Sequence, residues 1–254
     1  ITHNGGHHLI GGGASADTSA VDIPKRPTRA FEDELLKKEI ESAARSLAIG
    51  LPVIIEGEPG TGKTELAHKI HEEAFDNNSL TMIECRLLTA ENFESYLFGD
   101  DGMIGFFDPE PGANSKGKLP LARGGSVLFR NAQTLDKAIQ SRISDVMTFE
   151  DERRRDGITP VITGWLFVGP SSWMDDPEFD IAPAFSNSID GKTVTAPPLS
   201  QRSDFQKVAS AIIADISQEH SLSPVALSIL QAENWPGNLK QLRKTIQHAV
   251  AQAS

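Results

Sequence analysis

The chain is poor in cysteine, in long apolar stretches and in positive charge. Its single cysteine, Cys85, has no partner with which to form an internal disulfide. No segment approaches the roughly 18 consecutive apolar residues that a membrane span needs. Lysine and arginine number 24 against 35 acidic residues, a formal net charge of −11. These shortages exclude a disulfide-stabilised miniprotein, a membrane-spanning protein and a generally basic nucleic-acid binder.

The composition that remains is typical of a globular chain. A protein of 254 residues with 39% hydrophobic residues can bury about 70–75% of its unfolded surface without covalent cross-links. Residues 1–30 are rich in glycine, proline and small residues, which predicts a flexible lead-in. Because the first residue is Ile1 and not methionine, we expect the chain to be a fragment of a longer protein.

Short β-branched and aromatic runs alternate with helical periodicity up to about residue 168, and only helical patterns follow from about residue 203. This order predicts an α/β domain and then a small helical domain, with the boundary near Pro197-Pro198. The alternating charges at 150–160, with Arg153-Arg154-Arg155 among acids, predict a solvated loop and not a nucleic-acid patch. Five prolines within 170–201 predict an irregular stretch. The predicted strands lie near residues 53–55, 81–85, 126–129 and 165–168. The predicted helices lie near residues 31–48, 63–74, 90–97, 135–149, 203–218, 223–232 and 238–252.

A glycine-rich segment connects the first predicted strand to the helix that follows it. Its sequence matches the GxxxxGKT phosphate-binding loop, in which backbone N–H groups surround a phosphate at a helix N-terminus. We expect Lys63 to contact the β and γ phosphates of ATP or ADP, and the Thr64 hydroxyl to bind Mg²⁺ weakly. The predicted nucleotide-binding residues here are Gly57, Glu58, Pro59, Gly60, Thr61, Gly62, Lys63 and Thr64.

Four further segments, in the same order along the chain, resemble the AAA+ domain of bacterial enhancer-binding proteins, the ATPases that remodel sigma-54 RNA polymerase. They are Leu97-Phe98-Gly99, the strand 124–129, the segment 197–202 and Trp235-Pro236-Gly237-Asn238-Leu239. The resemblance implies an α/β fold, with a parallel five-stranded αβα sandwich at 31–197 and a helical lid at 198–254. It also implies that Lys240 takes the place of the lid arginine that contacts phosphate, and leaves Arg202 as a further lid contributor.

The resemblance also implies a cellular setting and partners. We expect a cytoplasmic module of bacterial transcription control that forms rings or other homo-oligomers. RNA polymerase, or a sensor or DNA-binding domain of the full-length protein, is the implied partner. Because the family's DNA-binding helix-turn-helix would follow Ser254, we expect no direct DNA binding by this segment. The lack of a long apolar run predicts no membrane association.

The chain departs from the family where the hydrolytic chemistry should be. Two carboxylates are needed after the third strand, one for magnesium and one to polarise the attacking water, and Arg130 and Asn131 stand there instead. Ser171 replaces the asparagine that senses the γ-phosphate. The two trans-acting arginines correspond to Ala182 and Ser188. The segment 102–107 replaces the GAFTGA loop that contacts the sigma factor.

One substitution points the other way, because Glu84 stands where the family has an asparagine that holds the catalytic glutamate. Carboxylate and amide have therefore exchanged places between Glu84 and Asn131. Glu84 is expected to pair with Arg130 and neutralise it; less favoured is a role of Glu84 as the general base.

Three functions follow from these features. The first is a nucleotide-binding regulatory or assembly module with weak or absent hydrolysis. The second is a slow ATPase that uses Glu84 or residues of a neighbouring subunit. The third is a scaffold or a receptor for another ligand.

His68 and His71 are interpreted as ordinary surface histidines and not as metal ligands.

Overall fold

The computed structural model describes residues 33–75, 78–100, 102–107 and 117–253. The predicted lead-in at 1–30 lies outside these residues. The helices are α1 (Glu34–Ala48), α2 (Lys63–Ala74), α3 (Phe93–Phe98), α4 (Gly102–Phe107), α5 (Lys118–Leu121), α6 (Lys137–Arg155), α7 (Pro183–Ile189), α8 (Phe205–Ile216), α9 (Pro224–Ala232) and α10 (Asn238–Ala253). Short 3₁₀ turns span Cys85–Leu87, Ala132–Thr134 and Leu199–Gln201.

Five parallel strands form one sheet in the order β2-β3-β4-β1-β5. The strands are β1 (Val53–Glu56), β2 (Leu80–Glu84), β3 (Ser126–Arg130), β4 (Gly164–Val168) and β5 (Lys192–Thr195). Because parallel strands share one direction, their carboxyl ends meet at one edge of the sheet, where ligands bind in open α/β sheets. The predicted fold class, a parallel five-stranded α/β sandwich, is confirmed.

Apolar side chains cover both faces of the sheet. One cluster packs β1 and the inner residues of β3 and β4 against α1 and α2. The other packs the opposite face against α6, α7 and the segment around α3 to α5, and its stacked rings include Phe129 and Phe167, whose centroids are 5.0 Å apart. Burial on both faces explains why β1, β3 and β4 are nearly continuous apolar runs.

A third apolar cluster lies within residues 199–250 and joins the last three helices. Its buried members include Val208, Trp235, Leu242 and Ile246. The prediction of a helical segment after the sheet therefore matches the observed elements. Among the described helices, none combines the length and the apolar character needed to cross a membrane.

The charged segment at 150–160 is not a loop over its whole length, and this expectation was wrong. Helix α6 continues to Arg155, and its alternating charges form pairs one turn apart, such as Arg154 with Asp151 at 3.2 Å. Glu150 is buried in the last turns of this helix and accepts hydrogen bonds from the backbone N–H groups of Val161 and Ile162. Burial raises the pKa of Glu150.

The stretch at 170–201 also contains regular structure that its sequence did not indicate. Helix α7 begins with Pro183 in its first turn, a position that proline tolerates because no intrahelical N–H bond is needed there. Strand β5 has a single buried residue, Val194. An edge strand this short and polar gives no run of apolar residues to detect.

Candidate nucleotide-binding site

The predicted phosphate loop connects β1 to α2 at the carboxyl edge of the sheet. Gly57, Gly60 and Gly62 adopt φ values of 146°, 81° and 89°, which residues with a side chain rarely adopt. Gly62 is the residue immediately before α2, so the first N–H groups of that helix face the loop. This backbone path forms an anion cradle of the kind found at helix N-termini.

Lys63 is held inside its own loop. The Nζ atom donates hydrogen bonds to the carbonyl oxygens of Gly57 at 2.7 Å and Glu58 at 2.8 Å. Burial lowers the pKa of Lys63, and the nearby Glu58 carboxylate partly opposes this shift. The ammonium group therefore lies at the loop where a phosphate would sit, with carbonyl partners that an anion can displace.

The start of α10 lies directly on the phosphate loop. Asn238 donates from Nδ2 to Glu58 Oε2 at 3.0 Å and to the carbonyl oxygen of Pro59 at 3.2 Å. The backbone N–H of Lys240 donates to the carbonyl oxygen of Gly60 at 3.3 Å. The segment predicted as a lid thus contributes a wall of the candidate site through backbone and amide groups.

Glu84, Arg130 and Asn131 meet at the ends of β2 and β3. Glu84 is the register partner of Arg130, and Arg130 Nη1 lies 3.6 Å from Glu84 Oε2. Asn131 has a left-handed backbone with φ of 57°, and its Nδ2 donates to Glu84 Oε1 at 2.6 Å. Arg130 also lies 3.8 Å from the sulfur of Met82, so its guanidinium points towards β2. The pairing predicted between Glu84 and Arg130 is present.

These strand ends are a poor fit for Mg²⁺. The ion prefers an octahedral set of oxygen ligands that includes one or two carboxylates, but both Glu84 oxygens are already engaged by Arg130 and Asn131. No group of three or more histidine, cysteine, aspartate or glutamate side chains converges within the described part of the chain. Thr64, at the start of α2, is the remaining predicted ligand.

Other predicted site residues are placed in different ways. Ser171 is exposed after β4, and Ala182 and Ser188 lie at the start and within α7. Arg202 does not turn towards the phosphate loop, which corrects the expectation that it contributes to the site. Its side chain is 1% exposed and forms a bidentate pair with Asp204 at 2.6 and 2.8 Å.

Two local interpretations also change. His71 is buried and not a surface histidine: its Nε2 lies 2.9 Å from the carbonyl oxygen of Asn78, and burial lowers its pKa. The segment 102–107 is helix α4, where Phe106 is fully buried and packs edge-on against Phe98 with ring centroids 6.2 Å apart.

Sequence reasoning missed the role of two side chains, Glu58 and Asn238. Glu58 was predicted only as one member of the loop, and Asn238 only as part of a motif that resembles a family segment. Their hydrogen bond joins residues 180 positions apart. The asparagine next to a glycine at a helix start was the available signal, because asparagine tolerates the left-handed backbone that Asn238 adopts with φ of 50°.

Comparison with known proteins agrees with this fold and loop. The family model described as the sigma-54 interaction domain matches residues 30–157, half of the chain. The Nif-specific regulatory protein of Rhizobium leguminosarum bv. trifolii is 28% identical over 234 residues, covering 87% of this chain and 65% of that protein. The anaerobic nitric oxide reductase transcription regulator NorR of Escherichia coli SMS-3-5 is 31% identical over 229 residues, covering 86% and 44%.

A solved structure shares the fold. The crystal structure of NtrX from Brucella abortus in complex with ADP has a TM-score of 0.66 and 21% identity, covering 86% of this chain and 49% of that one. The chain thus spans less than two thirds of the length of each of these proteins. The matched family model, the phosphate loop and the parallel sheet together show that the chain belongs to the sigma-54 interaction domain family of AAA+ domains, found in bacterial transcriptional regulators.

Proposed function

We propose that this chain is a nucleotide-binding module that binds ATP or ADP and hydrolyses ATP weakly or not at all, acting in the regulation or assembly of a transcription complex. Binding rests on the loop 57–64, with Lys63 as the cationic phosphate ligand and Lys240 as a lid contributor. The observed loop geometry and the ammonium position of Lys63 support the binding half of this proposal.

The proposal of weak hydrolysis rests on the contacts of the Glu84 carboxylate. A general base must be within hydrogen-bond reach of the water that it activates, and the two Glu84 oxygens instead meet Asn131 and Arg130. Neither Asn131 nor Arg130 can accept a proton at neutral pH. The strand ends therefore hold a neutralised polar cluster in place of a catalytic acid pair.

The same cluster supports weak dependence of binding on metal. In related phosphate-loop proteins, Mg²⁺ bridges the β and γ phosphates and is held by a hydroxyl and a carboxylate of the protein. Here the guanidinium of Arg130 stands near the expected place of that carboxylate. We therefore expect Mg²⁺ to contribute little to nucleotide affinity, with Thr64 as the remaining ligand that the sequence predicts.

A slow ATPase is the second candidate, and one observation favours it. Glu84 is 26% exposed and lies at the carboxyl edge of the sheet, so water has access to it. A base role would require Glu84 to exchange its contact with Asn131 for one with water. Residues supplied by a neighbouring subunit would be the alternative source of the missing groups.

The proposal includes a domain division and partners. We propose an αβα nucleotide-binding domain at 31–197 and a helical lid at 198–254, supported by the separate apolar cluster within 199–250. Self-association into a ring or another homo-oligomer is part of the proposal, as is contact with RNA polymerase or with another domain of a longer protein. Direct DNA binding is not assigned to this segment.

Calorimetric titration with ADP tests the binding claim. We expect binding with wild-type protein both in Mg²⁺ and in excess EDTA, with affinities that agree within about threefold, because the carboxylate at the described strand ends is already engaged by Arg130 and Asn131. Lys63→Ala should weaken binding by about tenfold or more, since it removes a charge-assisted contact with phosphate.

Lys69→Ala is the matched control, because Lys69 lies on the same helix but pairs with Glu73 at 3.7 Å. It should bind ADP like the wild type. A large drop of affinity in EDTA would contradict metal independence, and equal affinity of wild type and Lys63→Ala would contradict binding at this loop.

A further inference from the structure

One side chain, Asn238, connects the phosphate loop to the hinge, which we define as residues 197–202. Asn238 is 1% exposed and is the first residue of α10. Its Nδ2 reaches Glu58 Oε2 at 3.0 Å, and its Oδ1 accepts the backbone N–H of Leu199 at 2.8 Å. Leu199 is itself buried at the start of the 3₁₀ turn in the hinge. The loop and the hinge are therefore bound to the two ends of one amide.

The loop end of this connection is bonded to the phosphate-binding lysine. Lys63 Nζ donates to the carbonyl oxygen of Glu58 at 2.8 Å. Phosphate oxygens form shorter and stronger hydrogen bonds with an ammonium than a neutral carbonyl does, so a bound phosphate competes for Lys63. The backbone carbonyl of Glu58 then loses or weakens its bond to Lys63. The side chain of the same residue, Glu58, accepts the hydrogen bond from Asn238.

Close backbone packing limits independent movement of the two segments. A methyl group on Gly60 would collide with the carbonyl oxygen of Gly237. Lys240 adds a backbone hydrogen bond to Gly60 at 3.3 Å. These contacts keep the phosphate loop and the start of α10 close together, within reach of the hydrogen bond between Glu58 and Asn238.

We propose that Asn238 is a positioning residue that transmits nucleotide occupancy of the phosphate loop to the hinge through the path Lys63, Glu58, Asn238 and Leu199. This inference rests on the proposed nucleotide binding. When ADP orders the loop, the Glu58 carboxylate is fixed, Asn238 is held, and the N–H of Leu199 stays bonded. Without ADP the same N–H opens more often.

Hydrogen–deuterium exchange of the full chain tests this path, with ADP as the probe. In the wild type we expect ADP to slow exchange both in the loop 57–64 and in the hinge. Glu58→Ala is compared with the wild type at ADP concentrations that saturate each protein by calorimetry, since Glu58 belongs to the binding loop. At saturation the loop of the variant should be protected, while the effect of ADP on hinge exchange falls by about tenfold, the equivalent of one hydrogen bond to a charged acceptor. Glu58→Gln keeps an acceptor oxygen at the same place and should restore the hinge response.

Glu58 is exposed, so its replacement leaves the core intact. Glu233→Ala, an exposed acid before Trp235, is the control and should respond to ADP like the wild type. Two results would overturn the path. One is a full effect of ADP on hinge exchange in Glu58→Ala. The other is a wild type in which ADP protects the loop but leaves hinge exchange unchanged. A wild-type loop that ADP leaves unprotected would instead overturn the proposed nucleotide binding.

Discussion

At the scale of single residues, the exchange of Glu84 and Asn131 matters most. A carboxylate and an amide can hydrogen-bond to each other whichever strand carries which group, so the contact at 2.6 Å does not require the family's order. Proton transfer does depend on the order, because the carboxylate now belongs to β2 and lies against Arg130. The hydrogen bond is therefore present in this chain, while we propose that its carboxylate does not act as a base.

Replacing Glu84 by glutamine tests whether this carboxylate only balances Arg130. We expect Glu84→Gln to lower the free energy of unfolding by about 0.5 kcal/mol, the usual contribution of a partly exposed ion pair, since the glutamine oxygen can still accept from Asn131. Phosphate release from ATP should stay at the wild-type level. Urea unfolding and a phosphate assay on the same preparations measure both.

Glu94→Gln is the matched control for that substitution, since Glu94 on α3 pairs with Arg142 on α6 at 2.8 Å. Both variants should lose similar stability, and neither should change turnover. A fall in Lys63-dependent phosphate release in Glu84→Gln alone would assign Glu84 the role of general base.

At the scale of elements, sequence patterns predicted the three central strands and the edge strand β2, and missed β5 at the other edge. β1, β3 and β4 are runs of apolar residues because helices cover both faces. β5 carries lysine and threonine around Val194, so its pairing with β1 is set by tertiary packing. The phosphate loop was predictable because its chemistry is local, with all its groups in eight consecutive residues.

Long-range contacts of the site were not predictable in the same way. The hydrogen bond from Asn238 to Glu58 spans 180 positions, and no periodicity or spacing encodes it. The side chain of Arg202 pairs with Asp204, and both side chains are buried. A sequence pattern does not reveal this burial. Helix α6 was predicted too short because its last turns are charged, although those charges pair along the helix.

Close packing of the phosphate loop on the start of α10 can be tested with two glycine substitutions. Gly60 and Gly157 have similar φ values of 81° and 76°, but a methyl group at Gly157 meets no atom within 4 Å. Gly157→Ala should therefore lower the free energy of unfolding by about 1 kcal/mol, the cost of a left-handed alanine. Gly60→Ala should lower it by about 2–4 kcal/mol, because overpacking adds to that strain.

Urea unfolding followed by circular dichroism measures this difference, and calorimetry with ADP adds a second readout. We expect Gly60→Ala to weaken ADP binding and Gly157→Ala to leave it unchanged. Equal destabilisation by the two substitutions would mean that Gly60 and Gly237 separate readily, which contradicts their close contact.

At the scale of the whole molecule, the AAA+ fold is combined with strand ends that we propose to be inactive in hydrolysis. The sheet order, the phosphate loop and the start of α10 that packs on this loop are present, and we propose that they position a nucleotide. At the neighbouring strand ends Glu84 contacts Arg130 and Asn131, and we propose that this cluster neither polarises water nor holds a metal. Binding and hydrolysis depend on separate parts of the fold, so a chain can lose the second and keep the first.

Phosphate release over a long incubation with ATP and Mg²⁺, at high protein concentration, tests the absence of hydrolysis most directly. We expect no release above that of Lys63→Ala, because the described strand ends offer no free carboxylate to activate water. Release that clearly exceeds the Lys63→Ala level would contradict the account and would establish the chain as an ATPase.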